Sequence, residues 1–342
     1  MSTIKRRLLP LAFLASVTTA GQAQPTDASV TLSMIPLPNS QQLMDLRVRM
    51  VTDMKVTPRE GASEEELQQL RAKLAAVKMP LRFDMTLQQR LQTGLLDAQR
   101  RMPISASIES SQMEVRNGEG ELLPGMPAKG LSDMRFSARV VDGRYEDIRV
   151  NGENLRKLTP ELLEATFRKT FDALAQLNGA RLKVGESIEL PLEMALPLPG
   201  APSFSNATKV LTRYTLTRVQ AGVAYFDIGA TLDFRADLPL PPAAASAAAS
   251  AAEGAPATPR SQELMVSGKG TGQLQLRLAD RLPLRNDLDM EASMHMALPD
   301  GHAMQMTVQV QTTSVGRALR PSTGKVAAVK APRNARSAQA AR

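Results

Sequence analysis

The stretch LDMEASMHMALPDGHAMQMTVQV, residues 288–310, decides the fold class. Over 288–298 the even positions are apolar or small and most odd positions are polar, which predicts a strand with one buried face. The alternation resumes at Met304, and it predicts a second strand antiparallel to the first. Because facing residues of an antiparallel pair lie on the same face, the loop must contain an odd number of residues, three or five.

The same alternation recurs along most of the chain, and two helical patterns interrupt it. A short helical insertion is predicted over 63–77, where Ser63 and Glu66 have the spacing of a capping box, and one long packed helix is predicted over 160–178. Further strands are predicted over 44–56, 81–87, 104–108, 134–140, 188–196, 210–219 and 223–234. The fold class is therefore mainly β, with long antiparallel strands in a curved sheet or a sandwich.

Proline and glycine positions refine this prediction. Pro191 lies inside the strand pattern 188–196, and proline within a strand indicates an edge or an end of the sheet. Asp142 and Gly143 form a turn after the strand 134–140. The glycines of the Gly268-x-Gly-x-Gly272 motif precede alternating leucines, so they predict a twisted or bulged strand and not a phosphate-binding loop at the start of a helix.

The N-terminus has the layout of a secretory signal. Residues 1–23 have a basic start, an apolar run and small residues at Gly21 and Ala23, which predicts cleavage after Ala23. The apolar run is shorter than a membrane-spanning helix requires. We therefore expect export to the periplasm and no transmembrane span in the mature protein.

The remaining chain divides by composition into three parts. An N-terminal β-rich half, 24–178, ends in a helix, and a C-terminal β-meander half occupies 179–315. Residues 241–259 are almost all Ala, Ser and Pro, and 316–342 form a basic tail, so both segments are predicted to be disordered.

The formal net charge of +8 comes from the two ends of the chain. Without the three cations of the signal and the seven of the tail, the part between carries −2. This distribution argues against a nucleic-acid partner, and it makes the tail a candidate contact for an anionic envelope polymer. The chain has no cysteine, so no disulfide and no cysteine lipid anchor is expected.

Two short motifs and the order of elements around them carry a family resemblance. The motifs are Ala180-Arg-Leu-Lys-Val-Gly-Glu-Ser187, which follows the long predicted helix, and Gly268-Lys-Gly-Thr-Gly272, which leads into three alternating strands. Over about residues 130–315 the chain resembles an uncharacterised family of exported, often lipid-anchored, β-rich bacterial envelope proteins. The resemblance implies an envelope location and a β-rich fold with a packed helix, and it implies no activity.

Side chains that carry catalysis are scarce. The two histidines are His295 and His302, no serine lies in a Gly-x-Ser-x-Gly elbow, and the Ser322-x-x-Lys325 pattern falls in the predicted tail. We expect no enzymatic activity and no cofactor. A carboxylate-dependent enzyme of unknown class remains a further alternative.

Methionine is the unusual feature of the composition, with 18 residues against 3% aromatics. Most methionines fall at inward positions of predicted strands. They either fill a closed core or leave an adaptable face open to an apolar ligand or to an envelope protein. The preferred function is therefore a non-catalytic periplasmic envelope protein with a binding or structural role.

A sharper alternative is Cu(I) binding by clustered thioethers. Met294 and Met296 lie on one face of the first strand, and Met304 and Met306 lie on the same face of its partner. His295 points to the opposite face. The sequence leaves open whether these methionines are covered and which ligand or partner is bound.

Overall fold

The computed structural model describes residues 29–123, 133–152, 160–194, 208–239, 261–298 and 301–319. The predicted signal, the Ala-rich segment 241–259 and residues 320–342 lie outside these ranges. The N-terminal elements are β1 (Ser29–Thr31), β2 (Gln41–Thr57), α1 (Glu64–Val77), β3 (Leu81–Thr93), β4 (Met102–Arg116), β5 (Arg135–Val141), β6 (Arg144–Asn151) and α2 (Pro160–Ala175). The C-terminal elements are β7 (Arg181–Lys183), β8 (Ser187–Met194), β9 (Thr208–Gln220), β10 (Val223–Pro239), β11 (Ser261–Arg277), β12 (Leu282–Ala297) and β13 (Ala303–Leu319).

Eleven of the strands form one antiparallel sheet, so the mainly β, antiparallel prediction is confirmed. The order is β6-β5-β4-β3-β2-β13-β12-β11-β10-β9-β8, and β1 pairs with β7 in a separate two-stranded sheet. Two meanders, one from each half of the chain, therefore meet where β2 pairs with β13. This central pair joins Gln41 to Leu319 and Thr57 to Ala303.

The hairpin of β12 and β13 has the predicted parity. Met294 faces Met306 and Met296 faces Met304. β12 ends at Ala297 and β13 begins at Ala303, so five residues separate the strands, which is one of the two predicted loop lengths. The apolar even positions of both strands thus lie on one face of the sheet.

Three other local predictions, for a helix cap, a turn and an edge strand, are confirmed. The Ser63 side chain accepts a hydrogen bond from the Glu66 N–H at 3.2 Å, and the Glu66 carboxylate accepts one from the Ser63 N–H at 2.9 Å, which completes the capping box of α1. Asp142 and Gly143 both have positive φ in the turn between β5 and β6. β8, which contains Pro191, is an edge strand of the sheet.

Two predictions need correction. The helix α2 has 16 residues and α1 has 14, so the prediction of one long helix is not supported. The predicted last turn, 176–178, lies outside α2. Its N–H groups donate hydrogen bonds to carbonyls three residues back, such as Gln176 N–H to the Ala173 carbonyl. The strand β13 also continues to Leu319, inside the segment predicted as a tail. The strand extends this far because β2 offers its backbone hydrogen-bonding groups to residues 316–319. Arg317 also forms an ion pair of 2.9 Å with Asp45 of β2.

The buried core lies toward the two ends of the sheet. Residues of β4, β5 and β6 pack against α2, and residues of β9, β10 and β11 pack against β1 and β7. We call these inner residues the covered region: Met102, Ile104, Ala106, Phe136, Ala138, Val140, Leu190, Leu216, Ala224, Phe226, Ile228 and Leu274.

Candidate functional site

One face of the eleven-stranded sheet is mostly apolar from the first strand to the last, and we call it the inner face. A row of facing residues crosses nine strands from β8 to β4: Leu190, Thr212, Ala230, Gly270, Met290, Val310, Met50, Phe83 and Val115. A second row carries this face from β2 to β5: Gln42, Leu91, Ala106 and Phe136.

Helix α2 packs on the inner face at both ends of the sheet. The rings of Phe167 and Phe171 lie with their centroids 5.6 and 5.1 Å from that of Phe136, whereas Ala173 and Leu177 share a buried cluster with residues of β8. In a flat sheet, β6 and β8 would stand about 48 Å apart, at ten strand spacings, but a helix of 16 residues is about 24 Å long. The sheet is therefore curled, and the inner face lies on its concave side.

Glycines permit a close approach of two strands within this curl. A Cβ at Gly272 would lie 2.1 Å from the carbonyl oxygen of Asp287, and one at Gly268 would lie 2.8 Å from that of Glu291. No side chain fits at these inner positions, because the β12 backbone occupies the space. The glycine motif thus shapes the sheet, in agreement with the strand predicted for it.

Ten methionines project from the inner face of the central strands, and we call them the methionine face: Met44, Met50, Met54, Met85, Met113, Met290, Met294, Met296, Met304 and Met306. All ten are half-buried, whereas the covered region is buried. α2 packs against β6 and β8, and β1 and β7 pack against β9 to β11, away from β2, β3 and β13. Within the described ranges, the methionine face is therefore partly open.

Strand register brings the four candidate Cu(I) ligands together. Met294 and Met306 form one cross-strand pair, and Met296 and Met304 form the next. Met54 faces Met306 from the other side, on β2. Side chains directly opposite in an antiparallel pair have Cβ atoms about 4.5–5.5 Å apart, so these thioethers are neighbours.

The two histidines have different positions. His295 is exposed on the outer face, opposite Gln305, where the parity argument places it. His302 is buried; its Nδ1 accepts a hydrogen bond of 2.9 Å from the Arg59 N–H, and its carbonyl accepts one of 2.7 Å from the Leu298 N–H. His302 thus joins the hairpin loop to the segment after β2. Sequence reasoning missed this role because the two segments are 243 residues apart.

The described carboxylates that make ion pairs lie on the outer face of the sheet, in turns or in α1. Examples are Glu189 with Arg213 and Asp84 with Arg49, at 2.5 and 3.4 Å between charged atoms. In the turn after β11, hydrogen bonds from the Arg277 guanidinium lower the pKa of Asp280. A carboxylate that is held ionised in this way is unsuited to donate a proton near neutral pH.

No group of three or more His, Asp or Glu side chains is placed to hold a metal ion within the described ranges. None of the helices there combines the length and the apolar character needed to cross a membrane.

No family model and no curated protein matches the chain. Among solved structures, it is similar to PilQ, the secretin of the V. cholerae type IV competence pilus, at 6% identity, 83% coverage of this chain, 62% of that chain and a TM-score of 0.17. It is also similar to XcpQ, the T2SS secretin of Pseudomonas aeruginosa, at 9% identity, 83% coverage of this chain, 60% of that chain and a TM-score of 0.16. The chain thus spans less than two thirds of either secretin chain, and TM-scores this low carry no argument. The resemblance to an exported envelope family stays a prediction.

Proposed function

We propose that this protein is a non-catalytic binding protein of the periplasm that holds an acyl chain against the methionine face. The observation that supports the proposal is the set of ten half-buried methionines on the concave side of one sheet. When a ligand covers partly hydrated apolar surface, the free energy of binding becomes more favourable by about 25 cal/mol per Å² of area removed from water. Methionine side chains adapt to varied apolar shapes, so they suit a flexible hydrocarbon.

The dimensions of the methionine face fit this ligand class. From Leu46 to Val56 the strand β2 advances by ten residue steps, which is about 33 Å along the sheet. One leaflet of a bilayer, the length of one lipid acyl chain, is about 15 Å, half of a hydrocarbon core of about 30 Å. The face is therefore long enough for one extended chain, with room for a second.

A fluorescence titration with Nile red, a neutral apolar probe, tests the proposal. Met306→Asp places a carboxylate on the methionine face and should weaken Nile red binding at least tenfold. Gln305→Asp, the adjacent residue on the outer face of the same strand, should leave binding unchanged. Wild-type binding by both variants would refute the proposal.

A second variant and a second measurement guard against loss of folding. Met85→Gln is similar in size and uncharged, so it should keep the fold while weakening Nile red binding several-fold. Mass spectrometry of gently extracted protein should also detect a copurifying lipid. N-terminal sequencing that begins at Gln24 would support export with cleavage after Ala23.

Cu(I) binding is the second candidate, and the two facing methionine pairs favour it. Competition with a chromophoric Cu(I) chelator measures the affinity of the protein for Cu(I). The double variant Met294→Leu with Met306→Leu should bind Cu(I) at least tenfold more weakly than the wild type. Met50→Leu with Met85→Leu is the matched control elsewhere on the methionine face. Equal affinities of the two double variants would exclude a site at the hairpin.

A further inference from the structure

The inner face is uncharged. At the inner positions of the sheet that the structure describes, no Asp, Glu, Lys, Arg or His occurs on any of the eleven strands, whereas the outer positions alternate with them and carry charges such as Arg47, Asp84 and Glu291. The two inner tyrosines agree with this environment: burial raises the pKa of Tyr145 to about 12 and also raises that of Tyr214.

Uncharged polar side chains lie beside the methionines on the same face. Asn286 faces Ser314 across β12 and β13, Gln89 faces Met44, and Ser111 faces Leu87. Asn286 and Ser314 lie on one side of β2, and Gln89 and Ser111 lie on the other, with apolar residues of β2 between them. We call these four residues together the polar band.

Three polar atoms on this face have no hydrogen-bond partner in the described structure: Gln42 Nε2, Ser111 Oγ and Asn286 Oδ1. Buried polar atoms normally have partners, and one without a partner costs stability. Ser111 and Asn286 are half-buried residues, but their two partnerless atoms are themselves buried. A ligand that reached these atoms would supply the missing partners, since a serine hydroxyl can donate to a carbonyl and an asparagine Oδ1 can accept from a hydroxyl or an amide.

We propose that the ligand of the methionine face is a neutral lipid, an acyl chain joined by an ester or amide bond to an uncharged polar group, and not a free fatty acid. This proposal rests on the function proposed above. A carboxylate at the described inner positions of the strands would lose part of its hydration and find no cation on those strands, which opposes binding. An ester keeps its chain on the methionines and its carbonyl and hydroxyl groups on the polar band.

Displacement of Nile red at pH 8 by two lipids of equal chain length tests the ligand class. Monododecanoylglycerol is neutral, and dodecanoic acid is ionised at this pH. We expect the glycerol ester to displace Nile red at a concentration at least tenfold lower than the acid. Equal or stronger displacement by the acid would overturn the neutral-lipid proposal and leave acyl-chain binding intact. Displacement by neither lipid would overturn both.

A pair of adjacent substitutions tests whether the uncharged inner face sets this preference. Thr312 lies on the inner face between Leu288 and Val48, and Gln311 lies next to it on the outer face. Thr312→Lys places a cation on the inner face, so the concentration of dodecanoic acid that displaces Nile red should fall at least tenfold. Gln311→Lys should change the displacing concentration of neither lipid. If the Thr312 variant does not fold, Asn286→Lys provides the same cation on β12. An unchanged preference in a folded inner-face variant would contradict the proposal.

Discussion

The covered region and the methionine face share one sheet, one face and one sequence pattern, yet their environments differ. Leu216 is 0% exposed and Phe226 is 2% exposed beneath β1 and β7, whereas the methionines of β2, β3, β12 and β13 stay half-buried. The difference comes from the second layer, because α2, β1 and β7 pack on the ends of the sheet. Alternation in a strand therefore reports which side chains share a face, and the packing layer decides whether that face is closed.

The largest expected effect comes from truncating one side chain in each region. Leu216→Ala removes a fully buried side chain and should lower the free energy of unfolding by about 2–5 kcal/mol. Met85→Ala should cost about 1 kcal/mol, since that side chain is already half hydrated and leaves no closed cavity. Urea unfolding of both variants measures the difference. Equal losses would mean that the methionine face is as well covered as the core.

The next effect concerns the bend of the sheet between the two regions. Gly272→Ala forces a Cβ against the β12 backbone and should destabilise the protein by about 1–3 kcal/mol. A Cβ added at Gly229, in the neighbouring strand β10, would meet open space, so Gly229→Ala should stabilise by about 0.5–1 kcal/mol. Thermal unfolding should give shifts of opposite sign. Shifts of the same sign would argue against the close strand approach.

A smaller effect is expected from Asn178, whose side chain links three segments of the covered region just after α2. The Asn178 Oδ1 accepts a hydrogen bond of 2.9 Å from the Met34 N–H, and its Nδ2 donates one of 3.0 Å to the Gly143 carbonyl. Asn178→Ala should cost about 1–2 kcal/mol and leave Nile red binding unchanged. Gln176→Ala, at an exposed position nearby, is the control. Lost Nile red binding in the Asn178 variant would show that the two regions are coupled.

The smallest effect is a pH dependence in the turn after β11. Because Arg277 lowers the pKa of Asp280, the pair stabilises the fold above the ordinary aspartate pKa of 3.8 and loses this contribution as pH falls through the lowered pKa. Asp280→Asn should cost less than about 1 kcal/mol at pH 7, since both side chains are partly exposed, and less at pH 2 than at pH 7. Unfolding at both pH values checks this, with the exposed Asp289→Asn as control. An equal cost at both pH values would assign the effect to something other than the charge of Asp280.

Local sequence signals were sufficient for much of the fold. The parity of Met294 and Met306, the edge position of Pro191 and the capping box of Ser63 depend on neighbouring residues alone. β6 and the extension of β13 to Leu319 were not predicted. Their strand state depends on pairing with β5 and β2, and such partners leave no periodic signal of their own.

The sequence by itself determined which side chains share a face, because a strand alternates its side chains and a hairpin aligns them with no reference to distant parts of the chain. Tertiary structure alone decided that β2 pairs with β13, that α2 contacts both β6 and β8, and that the methionines remain half-buried. Of these features, the pairing of β2 with β13 joins residues far apart in the chain, and all of them depend on packing between elements. Their free energy depends on the curl of the whole sheet and on the elements that pack against it, which no local pattern encodes.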